Sequence, residues 1–359
     1  MKSFLRAHVL LLPLVLAQFA PCQSLPTEPL VKLAIQQLLA PGGTKVTGPT
    51  LSFLSDSTLA IAGCDQERKH CKLVILALSD ATSHAVAETD DYVYGGSLFR
   101  SPAGGVISDR TVGAFRTASL YSPNLQQLHA LSNTTLYPHL ISTTGKTFGQ
   151  PFGQRGWELY KTAASPQQIR YGAGELLSVS DQALAYREQN TIRIDAINGN
   201  HLGSFQVKSK CVASAQIIGS GRIWLSTCNG ETIRDFSGKI ATPMRRNAGW
   251  GFRVGQSSDG SRVLIDHYTR KVTLARTIME DAVALGTLGL GVANEEANGE
   301  LVRVIDVNSG GVCFEWQQSN GIAEEEFYHA DISPSGHSVA IITRDAVAIY
   351  ELPPQRNLR

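Results

Sequence analysis

The chain has 359 residues, of which 43% are hydrophobic, 18% charged and 33 are glycine, and its formal net charge is +1. Such an even balance gives no long-range pull on phosphate backbones and argues against nucleic-acid binding. Few charges and many glycines suit short strands joined by tight turns, not helical bundles rich in Glu and Lys, and large all-β folds use a chain of this length as one unit.

The N-terminus reads as an export signal. Lys2 and Arg6 supply a positive region, and Val9 to Ala20 is an apolar run too short to span a bilayer comfortably. Pro21 blocks a cut directly after Ala20, so cleavage is expected near Gln23 or Ser24, which makes 1–24 a signal peptide. The mature chain is then secreted or periplasmic, carries a net charge of −1 once Lys2 and Arg6 are gone, and has no further stretch apolar enough to cross a membrane. In the N-terminal segment 25–44, Leu30 to Leu39 reads as one short helix ended by Pro41-Gly42-Gly43.

From residue 45 onward, short apolar runs alternate with Gly, Asn, Asp and Ser. One unit recurs: a strand, a tight polar turn, then a strand rich in Val, Ile and Leu. Its clearest copy runs from Asp331 through Ser333-Pro334-Ser335-Gly336 to Ile342, where Pro334 presets φ and Gly336 accepts a positive φ. Related copies lie at Gln256 to Ile265 and Ile217 to Leu225, and weaker ones start at Leu51, Leu98, Ile141 and Leu176. A second hairpin follows most of them. Ile192 to Asn198 matches Val302 to Asn308 without a gap, each run leading through a polar turn to a strand with an aromatic, Phe205 or Phe314. Lys72 to Leu78 is a looser copy.

First turns recur every ~35 to 47 residues, the period of a propeller blade. The expected fold is therefore an all-β propeller over 45–353 with a tail at 354–359. The stretch 272–298 decides the blade number: as an insertion it leaves seven blades of four antiparallel strands, as a degenerate blade it makes eight, and seven is preferred. The last blade shows three strands, and Thr44 to Thr47 is the candidate for its fourth.

Cysteine placement fits export. Cys64 and Cys71 bracket a polar hairpin tip, and Cys211 and Cys228 flank Gly219-Ser220-Gly221 almost symmetrically, so each pair is brought within disulfide reach by its own hairpin. Cys313, in an apolar run, reads as a buried free thiol.

Asp331 to Ile342, followed by Ala346-Val347-Ala348-Ile349-Tyr350-Glu351, resembles the WD40/YVTN-like β-propeller superfamily, whose blade commonly has a Ser-Pro-Asp-Gly turn, an apolar strand and a Tyr-Asp-like step. Ser335 stands where the family has Asp, while Asp259-Gly260 keeps the usual turn, and no blade carries the Gly-His and Trp-Asp pair of true WD40 repeats. The resemblance implies the fold. Propellers of this kind include binding platforms, lactonases and other hydrolases, so it does not carry a function.

No Gly-x-Ser-x-Gly elbow stands between a strand and a helix. The histidines are scattered without ligand spacing, so no metal site and no cofactor are expected. Two candidate sites stand out. His329 and Asp331 share a face of an innermost strand, by its period of two, and form the best polar pair for an axial site. Arg246, Trp250 and Arg253, in a Gly-rich approach to another inner strand, have the residue types of a binding anchor. The reading that follows is an exported, monomeric, non-enzymatic propeller that binds a protein or small-molecule ligand. The alternative is a lactonase-like hydrolase working through His329, Asp331 and Arg253 in the axial channel.

Overall fold

The computed structural model describes residues 26, 28–39, 46–65, 70–79, 83–89, 97–112, 115–131, 135–163, 165–207, 212–227, 230–242, 250–268, 300–317 and 327–354. These form seven four-stranded antiparallel sheets arranged as the blades of a β-propeller. The first strands of blades 1 to 7 are Thr47–Ser55, Ser97–Arg100, Leu140–Ile141, Glu175–Val179, Val212–Ile218, Trp250–Gln256 and Phe327–Ile332, and all seven line the axis. Within blades 1 to 6 the four strands pair in sequence order, each turning back on the last.

A four-stranded sheet with two apolar faces must bury both, and radial stacking does so. The result is visible as seven hydrophobic clusters, one at each seam between blades. The seam of blades 5 and 6 shows the pattern: Ile218, Trp224 and Ile233 from one sheet pack on Val263, Ile265 and Ile305 of the next. Second strands therefore read as near-continuous apolar runs, such as Val339 to Ile342, all fully buried.

The turn from first to second strand is built alike in blades 3, 4, 6 and 7. Ser142, Ser180, Ser257 and Ser333 each leave the first strand, donate their amide across the turn, and accept the amide opening the second strand on the side-chain oxygen. Gly260 (φ 68°) and Gly336 (φ 75°) hold the positive φ that the turn requires. Gly260 also packs so closely on blade 5 that a Cβ there would lie 2.5 Å from the Gly219 amide nitrogen.

Two expectations need correction. The fourth strand of blade 7 is Val31–Ala34, paired with Ala346–Ile349, and not Thr44 to Thr47. Leu30 to Leu39 is accordingly not one helix: a strand with alternating burial leads into a five-residue helix, Ile35–Leu39. The edge of Ala346–Glu351 presents a row of unpaired amides and carbonyls, and satisfying them outweighs the helical spacing of the leucines. The helix then buries Ile35 and Leu39 against blades 1 and 7.

The blade number resolves as seven. Arg262–Tyr268 and Glu300–Asp306 are hydrogen-bonded neighbours in one sheet, with Tyr268 opposite Glu300. The stretch 272–298 thus falls inside one hairpin connection of blade 6, and itself lies outside the described residues. Cys64 and Cys71 sit opposite each other on neighbouring strands and are disulfide-bonded, as their spacing predicts. Cys313 is buried as expected but is not a free thiol: it too is disulfide-bonded. Its partner is not among the described residues, and neither are Cys211 and Cys228.

Candidate functional site in the axial channel

The seven inner strands enclose a cavity of about 290 Å³. Its wall mixes apolar groups such as Leu98, Ile141 and Val179 with polar ones, among them Ser97, Gln216, His329 and Asp331.

One end of the channel is crossed by side chains. Arg100, the last residue of the blade 2 inner strand, donates Nε to the Thr143 carbonyl of blade 3 and Nη2 to Ser258 Oγ of blade 6, at 3.2 Å. Gln256 of blade 6 donates Nε2 to Thr143 Oγ1 at 2.9 Å and to the Ile217 carbonyl of blade 5 at 2.9 Å, and accepts the Gly219 amide at 3.2 Å. Blades 2 and 3 lie across the ring from blade 6, so these bonds form a girdle over the axis at the end where first and second strands turn. Burial pulls the Arg100 pKa down, and Asp331, Asp181 and Asp56 act against that.

Asp331 lies in the same cavity, yet its carboxylate is turned into a seam. Oδ2 accepts Ser52 Oγ at 3.0 Å and the Phe53 amide at 2.8 Å, both from blade 1, and Oδ1 accepts the Ile332 amide at 2.9 Å. Burial pushes this carboxyl above the usual carboxylate range, against the pull of those bonds and of Arg100. His329, two residues earlier and half-buried, also lines the channel. The structure therefore brings the two predicted partners to one wall, with Asp331 occupied in joining blade 7 to blade 1.

The second predicted group is only partly placed. Trp250 and Arg253 fall on the inner strand of blade 6, opposite Tyr268 and Asp266, with a bulge between Gly251 and Arg253. Arg246 lies outside the described residues.

Sequence reasoning missed Arg100, Thr143 and Gln256. A signal existed. The residue just before the turn serine is Ile141, Val179 or Ile332 in blades 3, 4 and 7, but Arg100 and Gln256 in blades 2 and 6. A polar residue where the repeat wants an aliphatic one marks a side chain with work across the axis. Two further buried polar clusters also went unread. Asp109 accepts the His139 amide at 3.2 Å and faces its Nδ1 at 3.0 Å, between blades 2 and 3. Asp195 is bonded by Arg170, Tyr186 and His201 at 2.7, 3.0 and 3.0 Å. Burial alone would raise the Asp195 carboxyl, but those three partners outweigh it and hold it below its ordinary value.

Comparison with known proteins finds the fold and little else. No family model matches the chain, and no curated protein does. Among solved structures, the C-terminal WD40 domain of Sif2 is similar with a TM-score of 0.55 and 13% identity, over 91% of this chain and 98% of that one. Sqt1 of Chaetomium thermophilum, solved bound to the N-terminus of the ribosomal protein L10, is similar with a TM-score of 0.52 and 14% identity, over 87% and 98%. The chain thus has a WD40-like β-propeller fold, as the Asp331 to Glu351 resemblance implies.

Proposed function

We propose that the chain is an exported binding scaffold that holds a protein partner and performs no chemistry of its own. One observation carries this reading: Asp331, Gln256 and Ser178 of the channel wall are engaged in holding blades to each other. Asp331 Oδ2 serves the blade 7 to blade 1 seam while Oδ1 accepts the Ile332 amide of its own strand, Gln256 serves blades 3 and 5, and Ser178 Oγ accepts the Ile217 amide at 2.9 Å. Hydrolysis needs an acid, a base and an oxyanion donor free to converge on one atom, and Asp331 is the group such a site would need released. The Sqt1 propeller, held to the N-terminus of a ribosomal protein, is a neighbouring instance of the same scaffold gripping a chain segment.

Export is part of the proposal. The leader pattern supports it, as do the Cys64–Cys71 bridge and the bonded Cys313, since structural disulfides persist in oxidising compartments. The test is in-situ cross-linking of the full chain in its native extracellular or envelope setting, with partners identified by mass spectrometry. A stoichiometric protein partner cross-linked to the propeller faces is expected. Turnover of a lactone or ester panel that His329→Ala abolishes would overturn the reading in favour of the hydrolase.

A further inference from the structure

We propose that the axial channel takes a second kind of ligand besides the protein partner: a small uncharged molecule with an apolar ring and hydrogen-bonding groups at its ends, seated beneath the Arg100 girdle. This goes beyond the scaffold reading and does not depend on it.

The polar side chains of the channel wall fall into two sets. One is spent on the fold: Asp331, Ser178, Gln256, Thr143 and Arg100 bond across seams or across the axis. The other set has no such work. Ser97 of blade 2, and Ser214 and Gln216 of blade 5, line the cavity and are only partly buried. None of the three makes a side-chain hydrogen bond to a described residue. Blades 2 and 5 stand three apart in a ring of seven, so these groups approach the channel from opposite sides.

His139 of blade 3 belongs to the same wall. Its imidazole is fully buried, with Nδ1 at 3.0 Å from Asp109 Oδ1, and Asp109 Oδ2 accepts the His139 amide at 3.2 Å. An ionised carboxylate only accepts hydrogen bonds, so it places the ring proton on Nδ1 and leaves Nε2 as an acceptor. That Nε2 has no partner among the described residues, and a buried acceptor without a donor is costly. A ligand hydroxyl is a donor suited to it. Ile141, Leu177 and Val179 line the same cavity. Such a wall, apolar with a few unspent polar groups, is how small-molecule pockets fix orientation.

Charge and volume narrow the ligand further. Among the described wall residues, Arg100 and Asp331 are the only Lys, Arg, Asp or Glu. Both Asp331 oxygens accept hydrogen bonds. Arg100 is held by Thr143 and Ser258 and already lies in the field of Asp331, Asp181 and Asp56. Farther along blade 6, the register sets Arg253 opposite the carboxylate of Asp266. A charged ligand would give up water here without meeting a free counter-charge, which is costly. An uncharged one needs only neutral donors and acceptors. The cavity of about 290 Å³ exceeds the about 150 Å³ that holds one benzene ring, which leaves room for polar groups at both ends of a ring. The girdle crosses the first-turn end, so entry is from the opposite mouth.

The test is titration calorimetry on the full chain with its disulfides intact. The probe is para-hydroxybenzamide, compared with three relatives of the same outline: para-hydroxybenzoate, which is anionic, para-hydroxybenzylamine, which is cationic, and para-methylbenzamide, which lacks the hydroxyl donor. The uncharged hydroxyamide should bind, and each relative should bind about tenfold more weakly, the scale of one lost hydrogen bond to a buried group. Gln216→Leu and Ser97→Ala should each weaken the hydroxyamide, with melting temperature unchanged because neither side chain bonds to the fold. No binding of the hydroxyamide, equal binding of a charged relative or of the methyl relative, or binding indifferent to both variants would each overturn the proposal. The scaffold reading is tested separately by the in-situ cross-links, and a cross-linked partner would sustain it whichever way the calorimetry falls.

Discussion

Asp331 is held between two demands. Its seam position supplies the Phe53 amide and Ser52 hydroxyl with an acceptor, while burial disfavours the charge that makes it a strong one. The carboxyl is raised above 3.8 in the folded chain, so between the unfolded value near 3.9 and the higher folded value the native state holds more protons than the unfolded one. This group's contribution to stability therefore falls as pH rises from about 4, and the penalty is complete above the folded pKa. Asp331→Asn keeps an acceptor oxygen and removes the titration. Thermal melts of both proteins across pH should show the parent losing ground to the variant as pH rises, and a difference independent of pH would refute the account. Period-two spacing was enough to place Asp331 beside His329 on one wall. What occupies its oxygens was not readable, because Ser52 and Phe53 are 279 and 278 residues away. The cysteines have a similar limit. Hairpin symmetry sufficed for Cys64 and Cys71, but a bonded Cys313 changes the arithmetic: its partner must come from Cys22, Cys211 and Cys228. If Cys211 pairs with Cys228, that partner is Cys22, and cleavage near Gln23 would remove it. The hairpin pairing and that cleavage site therefore exclude one another. Mapping of unreduced mature chain, with its N-terminus sequenced, should find Cys64–Cys71 linked and only one of the other two features. Finding both, with Cys313 a free thiol, would contradict the bonded state.

At the scale of elements, the ring is closed by chain that lies far from the last blade in sequence. Val31–Ala34 supplies the outer strand of blade 7, and Ile35–Leu39 plugs the seam behind it. Ile35 is fully buried among Leu51, Phe53, Ile342 and Val347. Ile35→Ala should cost about 2–5 kcal/mol, the range for emptying a packed core site, and should lower the denaturant midpoint accordingly. A loss below about 0.5 kcal/mol, typical of surface positions, would mean that the helix does not dock. The strand itself was misread because five residues of helix and four of strand, joined without a break, place their leucines at spacings that mimic a single helix. Turns were far more legible. Asp259-Gly260 and Pro334-Ser335-Gly336 fix their own backbone locally, so their chemistry survives in the sequence whatever the rest of the chain does. The third-strand match of Ile192 to Asn198 with Val302 to Asn308 was legible because both runs bury their first, third and fourth residues, Ile192, Ile194 and Asp195 in one and Val302, Val304 and Ile305 in the other.

For the whole molecule, the spacing of turns and the apolar second strands suffice to specify repeated sheets around an axis, because each blade repeats the same local solution to burying two faces. The blade number was the weaker inference, since 272–298 lengthens one period to nearly two. Pairing across that gap decides it. Arg262–Tyr268 and Glu300–Asp306 stay in register along their whole length, from Arg262 opposite Asp306 to Tyr268 opposite Glu300. A blade between them would have to separate these strands, whereas a connection leaves them adjacent. Loop-closure entropy grows only slowly with length, about 0.6 kcal/mol per doubling, so a long connection is tolerated here at little cost to the ring. Replacing residues 269–299 by a two-residue Asn-Gly turn, which suits the twist of an antiparallel pair, should then leave all seven seams intact. The shortened chain should fold, keep its strand-rich circular dichroism and melt within a few degrees of the parent, with any change toward higher temperature because the loop to be closed is shorter. If 269–299 were instead an eighth blade, its removal would leave two seam faces without partners, and the chain would aggregate or unfold without cooperativity. Melting of the shortened chain therefore separates a seven-bladed ring with one long hairpin from a ring whose packing runs through that segment.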